Sequence, residues 1–138
     1  MEITVYKTLP PEAARIREEI FLGEQKFTVE FDEIDGFATH ILLTDVGKTV
    51  GTCRFFFSKE RRMYVIGRVA VVKEYRGQGC GAMLIAAAEK EISNLGGESI
   101  YISSQCRASK FYAKQGYKPH GEIYYDEYCP HIGMIKKL

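Results

Sequence analysis

The sequence predicts an α/β domain, and three observations carry that reading. Short runs with strand periodicity alternate with runs of helical periodicity. A glycine-rich turn, Arg76-Gly77-Gln78-Gly79-Cys80-Gly81, leaves one such strand and opens a helix. The chain then closes on two strands with no helix between them. At 138 residues and 46% hydrophobic, residues 1–138 suit one domain with a sizeable core.

The elements follow in order. Glu2 to Lys7 reads as a strand, because Ile3 and Val5 alternate with polar neighbours. Pro10-Pro11 opens a helix through about Leu22, since proline is tolerated in a first helical turn. Its apolar positions Ala13, Ile16 and Ile20 recur three and four apart. Gly23 to Phe37 is expected to be a loop, rich in Glu30, Asp32, Glu33 and Asp35. Thr39 to Thr44 and Thr49 to Phe57 form a hairpin around Asp45-Val46-Gly47-Lys48. Met63 to Val72 is a strand whose composition predicts burial on both faces. From Ala82 to Leu95, the residues Leu84, Ala88, Ile92 and Leu95 fall on one helix face, and Gly96-Gly97 ends it. Ser99 to Ser104 is a strand, Ala108 to Gln115 a short helix, and Gly121 to Tyr125 and Ile132 to Lys136 the closing strands.

The turn at residues 76–81 carries the chemistry. The first N–H groups of a helix lack partners and mark the positive end of its dipole. Glycines let a bulky anion approach them, so this arrangement suits phosphate or pyrophosphate. Three motifs compete for it. A P-loop needs a second glycine five residues after the first, followed by Lys and Ser or Thr. Here Gly77 is followed by Ala82, Met83 and Leu84. Gly77, Gly79 and Ala82 satisfy a relaxed dinucleotide fingerprint. That fold also wants an acidic residue at the end of the next strand, which reads Ile102-Ser103-Ser104-Gln105. Only 56 residues follow Ala82, too few for a doubly wound domain.

The third motif is an acetyl-CoA loop. Arg76, Gly79 and Gly81 resemble motif A of the GNAT N-acetyltransferase superfamily: Gln or Arg, two residues, Gly, one residue, Gly or Ala. The strand Arg68 to Val72 and Tyr75 also resemble that family. Phe111-Tyr112-Ala113-Lys114-Gln115-Gly116-Tyr117 is similar to its Phe-Tyr-x-x-x-Gly-Phe segment. The two motifs lie 35 residues apart, Arg76 to Phe111, as the family expects. Arg17 to Phe21, Glu24-Gln25, Ala38-Thr39-His40 and Pro130 to Met134 resemble the small bacterial YjcF-like branch.

The resemblance implies a mixed, mostly antiparallel and partly splayed central sheet flanked by helices. It implies acetyl transfer from acetyl-CoA to an amine, with CoA as product, directly within a ternary complex. The acceptor would be a small-molecule or peptide amine, and the protein a monomer or homodimer. The alternative is a non-catalytic acyl-CoA-binding sensor or interaction module. The backbone at Val69 and Val71 would pair with the pantetheine arm. The N–H groups of Gly77, Gln78, Gly79, Cys80, Gly81 and Ala82 would hold the pyrophosphate beside Arg76, and Ser109 and Lys110 are further cofactor candidates. Tyr112 stands where the family keeps the acid that protonates the leaving thiolate, although a packing role beside Phe111 accounts for it equally.

Such a transfer must align the amine, remove its proton and stabilise the developing charge. Base candidates are Glu24, His40, Glu122 and His131, with a water chain as the alternative. A histidine titrates in the right range. His131 and Glu122 are the leading pair, in the segment expected to border an acceptor cleft together with the Gly23–Phe37 loop. The carboxylates of that loop, with Asp126 and Glu127, are expected to favour a cationic amine. Cys80, near a helix N-terminus, is a candidate reactive thiol or simply a small residue that fits. Cys106 as an acyl-carrying nucleophile has no histidine beside it in sequence.

Nineteen basic and 18 acidic residues nearly cancel, so bulk charge makes no case for nucleic acid or an anionic membrane. No apolar run is long enough to span a bilayer, and the start lacks the pattern of a signal peptide. Four scattered cysteines without a Cys-x-x-Cys pair suit reduced thiols in a cytoplasm rather than a disulfide frame or zinc site, and no metal is expected.

Overall fold

The computed structural model describes residues 1–138. Seven strands form one sheet: β1 (Glu2–Tyr6), β2 (Thr39–Asp45), β3 (Lys48–Ser58), β4 (Met63–Val71), β5 (Ser99–Gln105), β6 (Lys118–Asp126) and β7 (Cys129–Lys137). Their spatial order is β1-β2-β3-β4-β5-β7-β6. All neighbours are antiparallel except β4 and β5. That pair needs a crossover, supplied by helix α2 (Cys80–Asn94).

Strand alternation distributes the core. On β3, Cys53 and Phe55 join Leu84, Ile85, Ala88 and Ile92 of α2 in the main core, with Ile41, Ile66 and Ile100 of neighbouring strands. The intervening Thr52 and Arg54 are also buried but point the other way, toward α1 (Pro11–Arg17). Helix α3 (Ser109–Lys114) lies with α2, placing Tyr112 in the main core. Gly81 is where the two sequence motifs touch, since a Cβ there would stand 3.0 Å from Cζ of Phe111.

Three local departures shape the site. The first is a bulge in β4. Arg54 faces Gly67 and Thr52 faces Ala70, so Arg68 and Val69 together oppose only Cys53. Arg68 adopts φ 53°. An extra residue flips the alternation beyond it. Ile66 therefore faces α2, whereas Ala70 packs with Ile16 and Ile20 on the opposite face. This is why β4 is half-buried rather than buried on both faces as its composition predicts.

The second is a splay. β4 and β5 pair only at Tyr64 with Ile100 and Val65 with Tyr101, then diverge. The third is a widened helix. α1 ends at Arg17 and continues as a π-helix over Glu18–Glu24, where uniform helix was expected through Leu22. Its wider turns carry Phe21 and Glu24 toward the splay. The remaining elements match their expected positions to within a few residues, the largest extensions being at the starts of β6 and β7.

Candidate active site

The splay creates two recesses that share a wall. The first is a cleft of about 250 Å³ between the diverging strands. Gly67, Arg68 and Val69 of β4 line one side, and Ile102, Ser103 and Gln105 of β5 the other. Tyr112 and His131 lie in its wall. The second is an open groove of about 770 Å³ running along Val69, Ala70 and Val71 to Arg76. Val69, Gln25 and Arg107 border both.

The glycine turn stands at the groove's far end. Gly77 and Gly79 have φ of 77° and 80°, and a Cβ on either would meet nothing within 4 Å. Gly79 caps α2, which begins at Cys80, two residues earlier than the sequence suggested. No backbone carbonyl in hydrogen-bonding geometry accepts the N–H groups of residues 77–82. Six consecutive free donors at a helix start, with open space before them, fit a diphosphate. Arg76 flanks them. Its guanidinium forms a two-pronged pair with Glu24 at 2.7 and 3.0 Å, and its Nε donates to the Val71 carbonyl at 3.0 Å. Gln78 donates back to the Glu74 carbonyl.

Among the proton-handling candidates, the structure brings Tyr112 and His131 to one cleft. Tyr112 is edge-on to Phe111 and Tyr117, and burial pushes its hydroxyl well above the ordinary phenol range. It packs in the core and also faces the cleft. His131 is 6% exposed and stacks on Tyr124. Its Nδ1 lies 3.0 Å from the Cys129 carbonyl. A carbonyl only accepts, so Nδ1 carries the hydrogen and Nε2 keeps its lone pair in the neutral ring.

Other candidates stand elsewhere. Glu122 is exposed in the irregular part of β6 between His120 and Tyr124 and does not line the cleft. His40 is buried with its Nε2 on the Asp35 carbonyl, and burial lowers its pKa. Glu24 lies in the groove, its pKa lowered chiefly by the hydrogen bond from Arg76. Ser109 donates to the Cys106 carbonyl at 2.9 Å and lines neither recess. The Cys80 side chain is buried against Met1 rather than presented to the turn.

The loop at 23–37 and the β6–β7 turn do meet over the cleft. The Glu127 carboxylate accepts the N–H groups of Thr28 and Val29 at 2.9 and 3.1 Å, and the Thr28 hydroxyl at 2.8 Å. Phe27 packs on Tyr128 at 5.4 Å, and the Tyr128 hydroxyl bonds the Gln25 carbonyl. Most of the loop's carboxylates, however, are already engaged. Arg17 takes Asp35 in a fork at 2.8 and 3.0 Å and Glu30 at 3.1 Å. Arg54 binds Asp32 at 2.7 Å and Asp35 at 2.8 Å, and Arg68 binds Glu30 at 2.7 Å. Three arginines thus pair with Glu30, Asp32 and Asp35, three of the four loop carboxylates expected to attract a cation, and Glu33 stays outside the network. The arginines are scattered through the sequence at positions 17, 54 and 68, which concealed the pairing. Arg107 and Gln105 were likewise unmarked in the sequence, because only the splay makes the end of β5 a cleft wall.

The acetyltransferase (GNAT) domain family matches residues 7–138. The chain is 31% identical over 128 residues to the uncharacterized N-acetyltransferase YjcF of Bacillus subtilis, covering 91% of this chain and 90% of that protein. A crystal structure of an acyl-CoA N-acyltransferase from Pseudomonas aeruginosa superposes with a TM-score of 0.85 at 28% identity, over 98% of each chain. Escherichia coli ElaA does so with a TM-score of 0.86 at 26% identity, again over 98% of each chain. An aminoglycoside 6'-N-acetyltransferase complexed with coenzyme A shares the fold, with a TM-score of 0.79 at 17% identity over 99% of this chain and 97% of that one. Since the family match runs from just beyond β1 to the last residue, the chain belongs to the GNAT acetyltransferase family.

Proposed function

We propose that this protein transfers an acetyl group from acetyl-CoA to an amine by direct attack in a ternary complex, with residues 1–138 acting as one domain. The observation that carries this is the meeting of groove and cleft at Val69, with Tyr112 and His131 in the cleft wall. A donor lying in the groove would end beside an acceptor lying in the cleft. The aminoglycoside enzyme's complex with coenzyme A on the same fold supports the choice of donor.

The chain's own residues suit the donor. The N–H groups of Gly77 to Ala82 would bind its pyrophosphate, with Arg76 beside them. Beyond Val65, β4 has no partner on its β5 side, so its open edge at Val69 and Val71 would pair with the amide-bearing arm. When bound, acetyl-CoA supplies the acyl group as an activated thioester. His131 Nε2 then takes the proton that the attacking amine sheds as the new C–N bond forms. As the C–S bond breaks, the Tyr112 hydroxyl donates its proton to the sulfur and recovers one from solvent. Burial keeps that hydroxyl protonated at neutral pH, as an acid requires. The four free cysteines fit a reducing, cytoplasmic setting.

The test is release of CoA thiol from acetyl-CoA across an amine library, followed by initial rates with donor and acceptor both varied. Direct transfer gives intersecting lines. Parallel lines with an acetylated protein species would indicate a covalent intermediate instead. No thiol release with any amine would overturn the activity.

A further inference from the structure

We infer that the acceptor is a small amine bearing a carboxylate, an amino-acid-like molecule whose carboxylate sits on Arg107 while its amine faces His131. This rests on the acetyltransferase reading of the same cleft. Four formally charged side chains line that cleft: Glu30, Arg68, Arg107 and Asp126. Glu30 and Arg68 close on each other at 2.7 Å. Arg107 and Asp126 enter none of the protein's ion pairs. One open positive and one open negative group complement a zwitterion.

Arg107 is aimed rather than loose. Its Nε donates to Gln105 Oε1 at 2.7 Å, and Gln105 Nε2 donates to Gln25 Oε1 at 2.8 Å. Gln25 therefore fixes which end of the Gln105 amide meets the arginine. The guanidinium is held by its Nε, leaving Nη1 and Nη2 as a planar fork. That fork matches a carboxylate in a two-point bond.

The second observation is His131 itself. It is buried, its Nδ1 is tied to Cys129, and its Nε2 has no partner within the protein. The Nε2 atom itself is open to the cleft, where a polar ligand atom can reach it. Gln105 faces His131 directly in the β5–β7 ladder. Facing Cα atoms in such a ladder lie about 5 Å apart. Gln105, which holds the arginine, and His131 thus share one rung of the β5–β7 ladder, so Arg107 and His131 border the same stretch of the cleft. Phe21, Phe27, Val29 and Ile102 give the wall an apolar part beside Ser103, which suits an aliphatic or aromatic side chain. A polycation would instead face both Arg68 and Arg107.

The experiment measures acetyl-CoA-dependent thiol release with the protein amino acids, each paired with its carboxamide and its decarboxylated amine, and with polyamines and aminoglycosides alongside. The expected result is that at least one amino acid is acetylated with kcat/KM about 10- to 100-fold above its carboxamide and amine, on the scale of one charge-assisted hydrogen-bonded pair. Arg107→Gln reduces that preference to within about threefold and Arg107→Lys restores part of it, the preference being read as the acid-to-carboxamide ratio at saturating acetyl-CoA because Arg107 also borders the groove. Carboxamides or decarboxylated amines acetylated as well as the acids would overturn this inference and leave the transferase activity standing. So would an Arg107→Gln protein that keeps its preference. No thiol release with any amine would overturn the activity and this inference together.

Discussion

At the scale of single residues, the proposed transfer would depend on two side chains whose surroundings fix their protons. Tyr112 is packed between Phe111 and Tyr117, and desolvation holds its proton in place. Tyr112→Phe keeps the ring and removes the hydroxyl. It should lower kcat by about 10²- to 10⁴-fold, the usual range for a lost general acid, and leave CoA affinity within a factor of two. Rapid-mixing kinetics that show an unchanged chemical step would reduce Tyr112 to a packing residue. His131 would work through the opposite property, a free lone pair on Nε2. His131→Ala should lower kcat/KM and remove the acidic limb of its pH profile, since the ring must be unprotonated to act. An acidic limb that persists in the variant would assign the base elsewhere.

At the scale of elements, the sequence showed which residues form the strands and helices but not how β4 is bent. Motif spacing was legible because it is local: Arg76, Gly79 and Gly81 fall in one turn, and the fold then brings Phe111 against Gly81. The bulge at Arg68 was not legible. An apolar run such as Val69-Ala70-Val71 looks the same whether its faces are kept or swapped. The π-helical stretch was hidden for the same reason, because its apolar spacing satisfies an ordinary helix. The acceptor wall was half legible. The early loop and the closing hairpin do meet, through Glu127 with Thr28 and Val29. The pairing of Glu30, Asp32 and Asp35 was not legible, because a carboxylate's partner can lie anywhere in the chain.

At the scale of the whole molecule, the ion-pair network joins α1, β3, β4 and the early loop on one face of the sheet. Arg17 is 1% exposed and holds both Glu30 and Asp35. Removing one partner of a buried pair leaves the other charged and desolvated. Arg17→Met should therefore cost about 3–5 kcal/mol and lower Tm by roughly 10–20 °C. A Tm within about 2 °C of the parent would show that the network contributes little. The same network sets an acid limit. Burial raises the Asp35 pKa, but hydrogen bonds and charge from Arg17 and Arg54 outweigh it and bring it down to about 2, from an ordinary 3.8. A carboxyl depressed in the folded state stabilises fully above its unfolded value and loses that contribution as pH falls toward its folded one. Stability measured by urea unfolding should thus decline between about pH 4 and pH 2, by on the order of 2 kcal/mol from this group. In Asp35→Asn that part of the decline should be absent.

The central claim is that the glycine turn, open groove and cleft form one donor-to-acceptor path, and its entry point can be tested without knowing the acceptor. The measurement is the melting temperature with CoA and, separately, with NAD, for the parent protein and for Gly79→Val. Gly79 has φ 80° and faces open space, so a β-branched residue there is strained and stands where the phosphates would lie. Ligand at a hundredfold excess over Kd should add about 2.7 kcal/mol of stability. The account predicts that CoA raises the melting temperature of the parent, that NAD does not, and that Gly79→Val folds but loses the CoA response. A parent protein that ignores millimolar CoA, or that responds to NAD instead, would contradict it.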